Sequence, residues 1–341
     1  MAQKKVLVLG ATGAMGQYLV PKLAERGYAV DAVAMEDGNF STPGINMIVG
    51  NCKEYAFRTN LLKNNYDAIV DFMIYPTKEL ILYLPEIIEA TGHYIFLSTY
   101  RIYDGCEVPV KETSPRLLDN SKDVLLRNSD DYCIYKARGE DIVRSFPKKN
   151  WSIIRPAVTY SRMRYQLVTL EAFATVARAK LGKTVVLPES AGNVQATMSW
   201  AGDVAEMIAR LLFNEKAFGE TFTVATAEHH SWGEIAEYYH DICGLKALWV
   251  DQKDYLNLLY QDYERFPYPG LWQLAYDRLF ERIMDNSKVL SATGLKQENM
   301  MKLYDGLKYE IARCPEDYPA SVMGHYQNIQ MDNYLKARGM V

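Results

Sequence analysis

Gly10, Gly13 and Gly16 follow the apolar run Val6-Leu7-Val8-Leu9 at G-x-x-G-x-x-G spacing, and a segment able to form a helix comes next, at 17–26. A strand, a glycine turn and a helix N-terminus together make a site for a dinucleotide pyrophosphate. The backbone can approach the phosphates closely, and free N–H groups meet the anion. Three spaced glycines alone are common; their place straight after a strand is what gives them meaning. A second set of residues could move protons. Tyr132 and Lys136 form Y-x-x-x-K, a spacing that puts both side chains on one helix face. A free phenol ionises near pH ~10, and a neighbouring ammonium favours its anion. The spacing says little by itself in a chain with 25 tyrosines, where Tyr18/Lys22 and Tyr304/Lys308 share it. Only Tyr132/Lys136 follows an expected strand ending in Ser98-Thr99.

The elements that would carry these residues alternate. Strands are expected at 5–9, 29–35, 45–49, 68–73, 94–98 and 152–155, with helices at 17–26, 55–64, 78–91 and 131–146 between them. Alternation at this interval predicts a parallel sheet with helices on both faces. Gly27 and Gly92 sit where helices should stop. Beyond Pro156 the pattern loosens: helices are expected at 171–181, 203–214, 231–243 and 302–313 and a strand at 221–225, while 255–284 is aromatic-rich with no clear period. The fold class is therefore α/β, a Rossmann-type doubly wound parallel sheet with a smaller C-terminal α+β substrate-binding part. Residues 1–156 would be mainly the dinucleotide-binding domain. Residues 157–314 would be mainly the substrate part, with a strand and helix returning to the sheet, and 315–341 a polar tail.

Bulk properties narrow the function. A chain of 341 residues, 49% apolar, can bury a large core. Its net charge of −4, with acids and bases interspersed, argues against nucleic acid and anionic membranes as partners. The five cysteines are scattered and form no C-x-x-C pair, so neither a disulfide framework nor a zinc site is expected. His229-His230 lacks a third ligand at suitable spacing and precedes a helix start at Ser231; no metal is expected. The N-terminal apolar run is a first strand rather than a signal peptide, and no stretch nears the ~20 apolar residues of a membrane span. A cytoplasmic address follows.

From about Lys4 to Arg313 the chain resembles the extended short-chain dehydrogenase/reductase superfamily, and within it the NAD-dependent epimerase/dehydratase family. The resemblance rests on landmarks in order: the glycine turn; Phe96-Leu97-Ser98-Thr99-Tyr100-Arg101-Ile102-Tyr103; Pro109, Glu112 and Pro115; Tyr132, Lys136 and Glu140; Arg155-Pro156; Trp200-Ala201-Gly202-Asp203-Val204-Ala205; and Asp285-Asn286-Ser287-Lys288 before Gly294-Leu295. It implies that Tyr132 is the general base or acid, that Lys136 holds a ribose hydroxyl and tunes the phenol, and that Thr99 aligns the substrate hydroxyl. It implies NAD as cofactor, NADP remaining open, held by Gly10, Thr12, Gly13, Ala14, Met15, Gly16, Glu36, Asn51, Phe72, Tyr132, Lys136 and Pro156. A small-molecule substrate would meet Tyr100, Arg101, Arg162 and Arg164. A homodimer is implied, paired through the helices at 78–91 and 131–146.

Departures from the family pattern shape the reaction. Members that dehydrate sugar nucleotides carry an Asp-Glu pair after the catalytic Thr; here Tyr100-Arg101 stands there. Epimerases often carry a diphosphate-gripping arginine where this chain has Ala196. Glu36 and Asp37, with no Lys or Arg between Arg26 and Lys53, favour NAD over NADP, since acids repel a 2′-phosphate. Two readings remain. One is an NAD(P)-dependent oxidoreductase or epimerase transferring hydride at a carbinol carbon of a hydroxylated small molecule, a sugar or sugar-nucleotide derivative, without 4,6-dehydration. The other is a non-catalytic nucleotide- or RNA-binding protein on the same fold. The set Thr99, Tyr132 and Lys136 and the acidic net charge favour the enzyme.

Overall fold

The computed structural model describes residues 3–260 and 268–340. Strands β1 (Lys5–Leu9), β2 (Ala29–Ala34), β3 (Ile45–Val49), β4 (Tyr66–Asp71), β5 (Thr91–Leu97) and β6 (Trp151–Arg155) join Glu220–Thr223 in one sheet. Its spatial order is Glu220–Thr223, β6, β5, β4, β1, β2, β3, every pair parallel. The order reverses between β1 and β4, and the crevice that opens there, at the carboxyl ends of the strands, is where such sheets take ligands.

Both faces of the sheet are covered, so its central strands read as continuous apolar runs rather than alternating ones. On one face Leu19, Val20 and Leu23 of the helix Gly16–Glu25 pack with Val204, Met207 and Ile208 of the helix Ala201–Leu211. On the other, Leu80, Leu84 and Ile87 of Thr77–Glu89 join Val143 of Tyr132–Arg144. Gly139 lets these last two helices close on each other and on the sheet: a Cβ there would lie 2.9 Å from Leu80 Cδ2 and 2.9 Å from Phe96 Cζ.

The second half builds its own core around Tyr160, Trp232, Tyr239 and Tyr255. Thr184–Pro188 pairs in parallel with Lys246–Val250, a ladder the sequence pattern did not announce. The helix Trp232–Cys243 starts at a reciprocal Ser231/Glu234 capping box and stops at Gly244, which is left-handed. The helix expected at 171–181 is broken. A short turn at Ala172–Ala174 gives way at Thr175, whose hydroxyl donates to Tyr165 O at 2.7 Å, and the helix resumes only over Val176–Lys180. That side-chain bond competes with helix continuation. The polar tail is ordered: Tyr326–Ala337 is a helix with Met331 and Leu335 buried, and Arg178 reaches Asp332 at 2.7 Å. Within 255–284, residues 261–267 lie outside the described residues; Tyr268–Gln273 is helical and runs into a π-type turn, Leu274–Arg278. Among the described residues no helix is long and apolar enough to cross a membrane.

Gly16 is the tightest point of the glycine turn, since a Cβ there would lie 2.4 Å from the Ala11 carbonyl oxygen. Gly16→Ala should therefore destabilise the fold by about 1–3 kcal/mol, read as a lower urea midpoint. Gly13→Ala, where the nearest atom is Gly10 O at 3.2 Å, should cost clearly less.

Candidate active site

Strand ends bring the sequence-selected residues to one cavity of about 560 Å³. Gly10, Thr12, Gly13, Ala14, Met15 and Gly16 line it after β1, and Glu36 and Asn51 after β2 and β3. Phe72 lines it after β4, Thr99, Tyr100 and Arg101 after β5, and Pro156 after β6; Tyr132 and Arg164 complete the set. Two selected residues stand apart. Lys136 is sealed beneath the wall at 1% exposure. Arg162 is exposed and donates from Nε to Arg313 O at 3.1 Å, outside the cavity lining. None of the described aromatics from Trp249 to Trp272 lines the cavity.

The glycine end is shaped for close approach. Gly10 has φ +76°, and a Cβ on it would meet Phe72 Cβ at 3.2 Å. The turn is fixed by Gly10 N and Ala11 N donating to Val33 O and by Gly13 N donating to Gly10 O. Asn51 Oδ1 accepts Lys53 N at 3.0 Å, and Lys53 Nζ is held by Glu79 at 2.7 Å. A cradle that a single methyl group would fill, at the head of a helix and at the sheet's switch point, fits a dinucleotide pyrophosphate.

At the other end stands Tyr132. Its helix is capped by Asp131, whose carboxylate accepts Cys133 N at 3.1 Å. Burial pushes the Tyr132 phenol up; Arg101, the Thr99 hydroxyl and Arg164 pull it down, while Asp277 adds to the rise. The guanidinium of Arg101 lies 5.3 Å from the centre of the Tyr132 ring, closer than the Lys136 ammonium at 6.0 Å. Thr99 Oγ1 accepts Arg101 N at 3.2 Å, which leaves the hydroxyl proton to donate.

Lys136 Nζ donates to Leu97 O at 2.7 Å. Burial pulls its ammonium down to about 8, against Asp71 and Glu140, which hold it up. Asp71 is itself buried, accepting Met73 N and Tyr94 Oη, each at 2.9 Å.

A cluster unseen in the sequence backs the Tyr132 end. Asp277 is fully buried and meets Arg278 Nη1 at 2.5 Å, Arg101 Nε at 3.2 Å and Arg282 Nε at 3.4 Å. Arg278 also reaches Val168 O at 2.7 Å and the Tyr100 hydroxyl. Arg278, Gln166, Glu171 and Gln273 line the cavity with Arg101 and Arg164. The sole sequence signal was an Asp-Arg followed by an arginine four residues on, inside a stretch without period.

A doubly wound parallel sheet, a glycine turn at its switch point and a tyrosine helix over the same cavity define a Rossmann-type nucleotide-binding protein. The model of the NAD dependent epimerase/dehydratase family matches residues 6–225, and the chain belongs to that family. No curated protein sequence matches it. Solved structures are similar in fold. An epimerase from Methanothermobacter thermautotrophicus superposes with TM-score 0.70 at 14% identity, covering 93% of this chain and 94% of that one. UDP-glucose 4-epimerase from Thermus thermophilus, in complex with NAD, gives 0.67 at 18%, covering 90% and 98%. UDP-glucuronic acid 4-epimerase from Bacillus cereus, in complex with UDP-glucuronic acid and NAD, gives 0.66 at 16%, covering 93% and 99%.

The Lys136 environment has a measurable sign. Burial brings the ammonium down to about 8 in the folded protein, from an ordinary lysine value of 10.5. Between these values the unfolded chain binds more protons, so this group makes the fold more stable as pH rises through the window. Relative to Lys136→Met, the cofactor-free protein should gain about 2 kcal/mol from pH ~8 to ~10, read from urea midpoints of both proteins. Equal slopes would mean that the ammonium keeps an ordinary pKa.

Proposed function

We propose that the protein is an NAD-dependent enzyme that transfers hydride reversibly at a carbinol carbon of a hydroxylated small molecule, a sugar or sugar-nucleotide derivative. The observation that carries this reading is the placement of Thr99 and Tyr132 on the wall of the cavity that also contains the glycine cradle. Family membership supports it. So do the epimerases of similar fold, two of which are complexes with NAD.

When bound, the oxidised nicotinamide supplies the hydride acceptor and a positive charge. The chain's own residues supply the rest. Thr99 donates its hydroxyl proton to the substrate oxygen or to the Tyr132 oxygen, fixing the line of proton transfer. Tyr132 takes the carbinol proton as the carbon loses hydride and returns it in the reverse direction. Arg101 and Arg164 offset the burial that keeps the phenol protonated. Lys136 is held by Leu97 O with its ammonium 6.0 Å from the centre of the Tyr132 ring, where its charge favours the phenolate. Glu36 lines the cavity where a ribose would lie, and Lys53 is occupied by Glu79. Both features favour NAD over a 2′-phosphorylated cofactor. Water elimination is disfavoured because Tyr100-Arg101 provides no carboxylate pair.

Tyr132→Phe keeps the ring and removes the proton carrier. Turnover, followed as reduced nicotinamide, should fall by about two to four orders of magnitude with little change in NAD affinity. A 4,6-dehydratase assay on a nucleotide hexose should yield no keto-deoxy sugar. Full turnover by Tyr132→Phe would remove the tyrosine from the mechanism.

We also read the chain as a homodimer. Ile81 and Leu82 of the helix Thr77–Glu89 are 53% and 72% exposed, beside the Tyr132 helix. Light scattering should give twice the chain mass, and Leu82→Glu should shift it toward the monomer. A monomeric wild type at micromolar concentration would end this reading.

A further inference from the structure

The charges around Tyr132 do not balance. Arg101, Arg278 and Arg282 converge on a single carboxylate, Asp277, which is fully buried. Arg282 Nη1 is buried with no hydrogen-bond partner among the described residues, and Arg101 Nε meets Asp277 at 3.2 Å as an ion pair without hydrogen-bond geometry. Arg101 has in addition only a long ion pair to Asp131, at 3.9 Å. Asp131 already caps the Tyr132 helix. Arg164, in the tight turn made by Ser161 and Arg164 with Met163 at φ +65°, lines the same cavity and forms no side-chain hydrogen bond or ion pair among the described residues. On this half of the cavity wall three guanidiniums, from Arg101, Arg164 and Arg278, face one carboxylate, Glu171, which is bonded to Gln166.

Buried charge is stable only when it is paired and hydrogen-bonded. Arg101 and Arg278 share the carboxylate of Asp277, while Arg164 is exposed on the same wall with no side-chain partner among the described residues; a free guanidinium beside Arg101 suits an anion that arrives with the ligand. Guanidinium is also the group whose planar fork matches two coplanar oxygens. Resting on the hydride-transfer reading above, we propose that the substrate is a hydroxy acid whose carboxylate sits on Arg101 and Arg164, close to the carbinol whose hydroxyl proton Tyr132 takes. Arg101 sets that distance. Its guanidinium stands over the Tyr132 ring, 5.3 Å from the ring centre, so an anion bound to it would share the Tyr132 end of the cavity. A diphosphate leading to a nucleotide would stand further from the reaction. Arg278 is the support: it is bonded to Val168 O and Tyr100 and holds Asp277 in place to orient Arg101.

The test compares binding of matched acids and neutral compounds to the NAD-loaded protein by calorimetry. Glucuronate and galacturonate, free and linked to UDP, are set against glucose and galactose in the same forms, with glucose 6-phosphate as a phosphate control. The acids should bind about 10- to 100-fold more tightly, the range expected for charge-assisted hydrogen bonds. Arg101→Gln should abolish that preference and Arg164→Gln reduce it about tenfold, each weakening the acids more than the neutral compounds. Equal binding of acid and neutral forms by the wild type would overturn the proposal, as would tighter binding of the 6-phosphate or an equal loss of both ligand classes in Arg101→Gln. The wild-type comparison decides even where a variant does not fold. A clear preference for acids with neither reduced nicotinamide nor an epimerised product formed from any of them would uphold the anion site while removing the hydride-transfer reading.

Discussion

The buried carboxylate of Glu140 holds the Tyr132 side of the cavity together. It is fully excluded from solvent and accepts Ser98 Oγ at 2.6 Å, Arg155 Nε at 2.7 Å and Arg155 Nη2 at 2.6 Å. Arg155 in turn donates to the Tyr103 hydroxyl at 2.7 Å and to Glu112 O at 2.8 Å. One ion pair thus ties the Tyr132 helix to the end of β5, the end of β6 and the loop after Thr99. Removing one member of such a pair costs about 3–5 kcal/mol because the other is left charged and buried. The spacing of Tyr132 from Thr99 depends on this link more than on either residue's own contacts. Glu140 lies two turns along the helix from Tyr132, and Ser98 is the neighbour of Thr99 in the chain. Lys136 lies on the same helix between them, and Glu140 also helps keep its ammonium charged.

The nucleotide half could be read from the sequence because its determinants are local. The glycine spacing, the apolar runs and the helix stops each act over a few residues, and the seven strands fell close to their expected places. Tyr132 was separable from two look-alike Y-x-x-x-K sites only through the order of elements around it. The substrate half was harder, since its decisive features come from tertiary contacts. The break at Thr175 depends on a bond to Tyr165, ten residues away. The burial of Met331 and Leu335 in a polar-looking tail depends on a groove built by other elements. Arg101 stood out as a departure from the family pattern, yet its partner Asp277 lay in a stretch with no period to mark it. Arg162 and Arg164 looked equivalent in sequence; the tight turn between Ser161 and Arg164 sends one to the cavity wall and leaves the other bonded to Arg313 O.

The two halves meet at a strained point. Val168 is a β-branched residue at φ +52° with its side chain fully buried, a conformation that such residues avoid. The carbonyl it presents accepts Arg278 Nε. Strain of this kind persists where the surroundings over-determine the backbone. Here the fixing contacts are the mutual Leu167–Leu170 bonds and the arginine itself. The loop that carries Val168 is thereby coupled to the charge cluster behind Tyr132.

The π-type turn at Leu274–Arg278 has a consequence for how this site could change over evolutionary time. Leu279 N bonds to Leu274 O at 2.9 Å, so the turn holds one residue more than an α-helix would. Each residue of an α-helix advances about 100° around the axis. A one-codon deletion in this turn would rotate Arg278 off the cavity wall and Asp277 away from Arg101 while leaving the preceding helix in register. Insertion and loss of a single residue, rather than a series of point substitutions, is then a direct route between relatives with and without this guanidinium on the cavity wall.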